Sequence, residues 1–215
     1  MFTMGPAMRG GLALSTALLT RNSGGPPVET IDGTGRTFTF VASASSWAFA
    51  WVRSASVRTG KRYWEVVNTG PAVVNFHAGV VAQSTWTASG GGFYPGSGYT
   101  AGVYVAAYGT VGGGTTGYID NGVPIGNGGY TWTAGQVCGV ACDFDAGKIW
   151  FSRTGAFLAG NPAAGTGQTM TFAASGAFDP YVGFYQLGGA TQVLTCNFNE
   201  ADLAFAPPSG FLVLP

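Results

Sequence analysis

Short runs of apolar or alternating residues recur along this chain about every ten residues, and glycine, asparagine or aspartate interrupts nearly all of them. That rhythm is the spacing of an all-β sandwich or barrel. Lys61–Asn68, KRYWEVVN, shows it most clearly. Tyr63, Glu65 and Val67 alternate there with Trp64 and Val66, and a strand places the two sets on opposite faces. Residues 36–41, 47–52, 76–82, 101–108, 137–144, 148–152, 181–185 and 192–198 read as further strands. Asn121-Gly122 between GYID and VPI is a strong hairpin signal. Asp145-Ala146-Gly147 and Arg153-Thr154-Gly155 are turn sequences of the same kind. Cys138, Val140, Cys142 and Phe144 fall on one face of their strand. Ile149 and Phe151 meet them across the next hairpin, so these six are expected in the core. Asp143 and Asp145 then belong to the turn side, and Trp132 is expected in the core. No internal repeat and no long helical pattern is present. The expected fold is a two-sheet antiparallel β-sandwich.

Residues 31–215 form that sandwich, and residues 1–30 read as a separate N-terminal extended arm. The arm closes with Gly24-Gly25-Pro26-Pro27, which punctuates structure. Its stretch 7–19 suits a short helix or an added strand, and Gly10-Gly11 weakens the helix. Met8, Leu12, Leu14, Leu18 and Leu19 are its apolar docking candidates. GGLALSTALL behind Arg9 imitates a short signal-peptide core, but no clear small-x-small cleavage site follows, so the segment is expected to be retained. No run reaches 18 apolar residues, so no membrane span is expected.

Composition excludes other functions. Only 8% of residues are charged, and nine basic residues balance nine acidic ones. Soluble domains usually carry roughly 25% charged residues. With no basic run beyond Lys61-Arg62, counterion release cannot drive nucleic-acid binding. A surface so poor in charge fits a protein partly covered in a multi-copy assembly. Cys138 and Cys142 stand four residues apart on one strand, about 13 Å, too far to bridge. With Cys196 they read as small buried residues, and no zinc-type pair occurs.

The chemistry-bearing residues do not assemble into a catalytic set. His77, the single histidine, lies inside a strand. No serine sits in a G-x-S-x-G elbow. Asp120, Asp143 and Asp145 fall short of the six to eight oxygens calcium wants. The runs Gly90-Gly91-Gly92 and Gly112-Gly113-Gly114 lack the Lys-Ser/Thr and helix of a phosphate loop. No enzyme activity, cofactor or metal is therefore expected. The aromatic residues Trp86, Phe93, Tyr94, Tyr99 and Tyr108 lie in or beside glycine-rich loops. They suit a protein interface, a sugar-stacking site or a cover for the sandwich edges.

Separated pieces of the chain resemble, in order, the SPRY domain. Gly60-Lys61-Arg62-Tyr63-Trp64-Glu65-Val66 is similar to its G-K-x-Y-[WF]-E-V strand, and His77-Ala78-Gly79-Val80-Val81 to the strand that follows. Tyr118 to Gly122 is similar to its hairpin. Thr133 to Asp145 is similar to T-x-G-D-V-I-G-x-x-L-D-x-D, with Gln136 replacing the aspartate. Ile149 to Gly155 is similar to I-x-F-x-x-N-G, with Thr154 replacing the asparagine. Asp179-Pro180-Tyr181-Val182-Gly183 and Cys196-Asn197-Phe198 resemble its last strands. The match spans roughly residues 33–213. The closing phrase Phe205-Ala206-Pro207-Pro208-Ser209-Gly210-Phe211 and the charge-poor, glycine-rich style resemble SPRY-like modules of bacteriophage virion proteins.

The resemblance implies a bent sandwich that recognises partners through its loops and has no shared catalytic centre. It implies a structural virion protein of a tailed phage or phage-like particle, assembled in the host cytoplasm. Other capsid, tail or fibre proteins would be its partners, and a host surface protein or glycan its ligand. Two alternatives accompany it. One is a carbohydrate-binding, lectin-like module. The other is a divergent glycosidase of concanavalin-like fold, for which Glu200 and Asp202 are the candidate carboxylates, although the third carboxylate of an E-x-D-x-x-E strand is missing.

Overall fold

A computed structural model describes residues 19–21, 29–41, 46–52, 58–69, 75–82, 104–110, 117–120, 123–127, 135–172, 178–186 and 191–214. Among them the only helical element is one 3-10 turn, Glu200–Asp202. Everything else that is regular is strand. Sheet one runs, in spatial order, β1 (Leu19–Arg21), β4 (Ser46–Val52), β14 (Phe178–Gln186), β6 (Asn75–Ala82), β7 (Tyr104–Thr110), β8 (Gly117–Asp120) and β9 (Val123–Asn127). Sheet two runs β12 (Ala156–Phe157), β11 (Lys148–Arg153), β10 (Val137–Asp143), β5 (Lys61–Asn68), β15 (Thr191–Asn197), β3 (Thr37–Val41) and β2 (Glu29–Ile31). A short β13 (Met170–Thr171) also pairs with β11, and β16 (Leu212–Val213) runs parallel to β5. All other described pairings are antiparallel.

Local sequence accounts for the hairpins. β8 and β9 pair Asp120 with Val123 and Ile119 with Pro124, so Asn121-Gly122 is the two-residue connection. Pro124 cannot donate to a ladder and sits on an edge strand, where the loss is tolerated. Between β11 and β12, Thr154 and Gly155 have φ of 51° and 83°. Two consecutive left-handed residues define the I′ turn that matches the twist of a hairpin. Asp32 Oδ1 organises the turn from β2 to β3. It accepts the backbone N–H groups of Thr34, Arg36 and Thr37 at 3.1–3.2 Å and the Thr34 hydroxyl at 2.7 Å.

The core lies between the sheets. Trp64 and Val66 of β5 meet Cys138, Val140 and Cys142 of β10, with Ile149 and Phe151 of β11 beyond them. The register pairs Val140 with Phe151 and Cys142 with Ile149, as the alternation predicts. Sheet one contributes Ala78, Val80, Phe178 and Val182. Each large side chain so buried is worth about 2–3 kcal/mol of apolar transfer. All three cysteines are buried and unpaired, and burial pushes their thiols above the ordinary range. They are inert core residues.

Leu19–Arg21 and Glu29–Ile31 join the two sheets as edge strands, with Leu19 opposite Val52 and Glu29 opposite Phe40. The last part of the segment read as an arm thus pairs with the sandwich.

Candidate binding surface

Glu65 is fully buried on the outer face of sheet two, and groups from residues 63, 197 and 204–205 converge on it. The backbone N–H groups of Ala204 and Phe205 donate to its two oxygens at 2.7 and 2.9 Å. The Asn197 amide and the Tyr63 hydroxyl donate at 3.3 and 3.2 Å. Phe205 in turn lies against Gly155, where an added Cβ would come within 2.5 Å of its ring. A buried carboxylate is tolerable only when its lone pairs are satisfied in this way. The pieces that resemble SPRY motifs at Glu65, Gly155, Asn197 and Phe205 therefore meet as one structural lock. Burial and the neighbouring Glu65 carboxylate push the Tyr63 phenol above its ordinary range.

The lock holds the closing segment across sheet two. Tyr63, Ala141 and Trp150, all on the outer face, are buried with Phe211, and Phe157 and Leu203 pack against them. Trp150 meets Phe211 edge to face, donates Nε1–H to the Thr166 carbonyl, and Lys61 Nζ stands 5.6 Å from the Phe211 ring. Gly139 leaves the space this needs, since a Cβ there would stand 2.3 Å from the Ser152 hydroxyl and 2.5 Å from the Tyr63 hydroxyl. This part of the face, over β5, β10 and β11, is filled by the chain itself.

Four further carboxylates, Asp143, Asp145, Asp179 and Asp202, are also engaged. Asp143 accepts from the Ala146 N–H and Asp145 from the Gly60 N–H. Asp179 is buried and accepts from Arg58 Nε at 2.6 Å, tying β14 to the approach to β5. Asp202 pairs with Arg36 and accepts from the Asn199 amide. Glu200 and Asp202 lie on the 3-10 turn, not on the strand that a glycosidase pair of that pattern occupies. Among the described residues no three His, Cys, Asp or Glu side chains cluster as metal ligands, and no helix is long and apolar enough to cross a membrane.

Of the loop aromatics, Trp86, Phe93, Tyr94 and Tyr99 lie outside the described residues, as does Trp132. Tyr108 is in β7, paired with His77 of β6 and Gly117 of β8. Met8, Leu12, Leu14 and Leu18 lie outside them too, and Leu19 is in β1. Sequence reasoning did not anticipate Glu65 as a clamp. The signal was present in the form of one acid inside an otherwise apolar strand, YWEVV.

Three solved structures are similar to this chain in fold to different degrees. The SPRY domain of human HERC1 superposes with a TM-score of 0.51 at 12% identity, covering 79% of this chain and 91% of that domain. The alginate lyase AlgAT5 of polysaccharide lyase family 7 gives 0.41 at 10% identity over 79% of each chain. The Emp46p carbohydrate recognition domain in its potassium-bound form gives 0.45 at 8%, covering 83% of this chain and 87% of that one. No protein-family model matches the sequence, and no curated protein matches it. The fold is a SPRY-like, concanavalin-like β-sandwich.

Proposed function

We propose that this chain is a non-catalytic binding module serving as a structural protein of a tailed bacteriophage or phage-like particle. The observation that carries the reading is the closing phrase, residues 205–211, locked onto Glu65. The part of the sequence that most resembles phage SPRY-like modules is the part that completes the fold. The SPRY-like fold supports recognition of a partner, and the structural engagement of Glu65, Asp143, Asp145, Asp179 and Asp202 supports the absence of catalysis. An 8% charged composition supports life inside an assembly, in many copies, where neighbours cover part of the surface.

In this reading residues before β1 dock onto a capsid, tail or fibre protein, and the opposite side of the sandwich meets a host surface protein or glycan. Because Leu19–Arg21 belong to sheet one, the informative deletion removes residues 1–18 and spares β1. The truncated protein is expected to fold and to be missing from purified particles. Its normal incorporation, measured by mass spectrometry of particles, would overturn the docking assignment.

A further inference from the structure

The outer face of sheet two changes character past Glu65. Leu194 and Cys196 of β15 and Phe38 of β3 belong to the core, so the alternate residues of those strands face outward. The register sets the outward positions in rows. Thr37, Thr195 and Val67 form one row across β3, β15 and β5, and Thr30, Thr39 and Val193 form the next across β2, β3 and β15. Thr191 lies further along β15, and Thr69 follows β5 with its N–H on the Val193 carbonyl. Over Tyr63, Ala141 and Trp150 the same face is buried with Phe211 of the closing segment. In these rows Thr30 and Thr69 are exposed and the other six positions are half-buried.

Six of the eight positions are threonine and none is charged. The Thr69 and Thr195 hydroxyls stand 3.2 Å apart, and Thr37 turns its hydroxyl to Asp32. Among the described residues the hydroxyls of Thr30, Thr39 and Thr191 take no partner. Each keeps one donor and two acceptor sites, aimed by a β-branched side chain with few rotamers. At the Thr37 end Asp32 is held by its turn and Arg36 by Asp202.

Three conditions follow for an occupant. A charged polymer would need ionic partners that these rows lack. An apolar surface would bury the hydroxyls without returning their hydrogen bonds, which is costly. The rows extend about 14 Å across the strands and about 13 Å along β15, roughly 200 Å². A stable protein interface takes about 800 Å² from each partner, so a second copy of this chain finds too little area here. We propose that this threonine face of sheet two binds a neutral polysaccharide. Such a chain carries no charge, answers each threonine with hydroxyls of its own, and gains avidity by repeating a small contact along its length. The inference deepens the binding-module reading and rests on it. It assigns recognition to a sheet face, not to the loop aromatics.

The test is affinity electrophoresis of the full-length protein through gels holding soluble dextran, mannan or galactan, with alginate as the acidic control. Thr39→Val/Thr191→Val removes two unpartnered hydroxyls and keeps the β-branched shape. Thr166→Val, in the exposed loop beside the roofed part of the face, is the control, and thermal melting checks that each variant folds. Retardation by at least one neutral polysaccharide is expected. It should weaken about tenfold or more in the double variant and be unchanged in Thr166→Val. If the double variant does not fold, Thr39→Val alone replaces it, with about a fivefold loss expected. No retardation by any neutral polysaccharide, retardation by alginate alone, unaltered binding in the threonine-face variant, or equal loss in Thr166→Val would each overturn the proposal. A concentration-dependent dimer in sedimentation that Thr39→Lys abolishes would assign the face to a second copy and overturn it as well. Particle incorporation of residues 19–215 is read separately, so failure of polysaccharide binding leaves the docking result to stand or fall by itself.

Discussion

The outer face of sheet two is roofed by the chain's own closing segment, with Trp150 and Tyr63 buried beneath Phe211 and with Glu65 holding two backbone N–H groups of the roof. On the outer face of sheet one Asp179, Val81 and Tyr181 are buried, and the register puts positions 47, 49 and 51, occupied by Trp, Phe and Trp, on the same side. The contrast separates two uses of aromatic residues that look alike in sequence. On sheet two they complete a second small core beneath the closing segment. Sheet one gives the core Phe178 with Ala78, Val80 and Val182, while the aromatic positions of β4 fall on its other face.

The sharpest way to break this comparison is to truncate one outer aromatic on each sheet. Trp150→Ala removes a fully buried ring and its Nε1–H bond, and should destabilise by about 3–5 kcal/mol in denaturant unfolding. Tyr181→Ala removes a buried ring from the outer face of sheet one and should cost a similar amount. A much smaller loss would show that only sheet two carries a packed outer layer.

Glu65→Ala should cost about 3 kcal/mol, since it leaves the N–H groups of Ala204 and Phe205 without their acceptor. Hydrogen exchange in residues 198–214 should accelerate before that of β10 and β11. Uniform exchange across sheet two would mean that the closing segment is not a separate layer.

Thr154→Asn should have a smaller effect of the opposite sign. A β-branched residue at φ 51° is strained, and asparagine tolerates that conformation. A gain of about 1 kcal/mol in thermal unfolding is expected, and a loss would remove the I′-turn argument.

The smallest expected effect concerns acid. Burial alone would raise the Asp32 carboxyl, but hydrogen bonds from Thr34, Thr37 and Arg36 outweigh it and hold the group well below the usual carboxylate range. Its folded form therefore favours the anion. The stability it contributes is present above the unfolded value of about 3.9 and is lost as pH falls below that. Asp32→Asn should flatten the pH dependence in that window, and an unchanged acid limb in pH-dependent melting would contradict the assignment.

Much of the fold was legible in the chain. KRYWEVVN, VCGVACD and KIWFSR declare their two faces by alternation, and the hairpin turns declare themselves by Asn-Gly, Asp and Gly. The three-residue edge strands β1 and β2 were not legible, because so short a run takes its conformation from the strand beside it. Glu65 was legible as an anomaly but not as a clamp, because all its partners except Tyr63 lie more than 130 residues away.

The sequence by itself determined where most of the strands lie and where they turn. In SWAFAWV it also determined that two unlike faces exist, one of alanine and one of aromatic rings. Which of them is the inside was decided only in three dimensions, by the pairing of Ala50 with Val182. Alternation has a period of two and no sign, so a strand cannot know its core side until a neighbour sets the register.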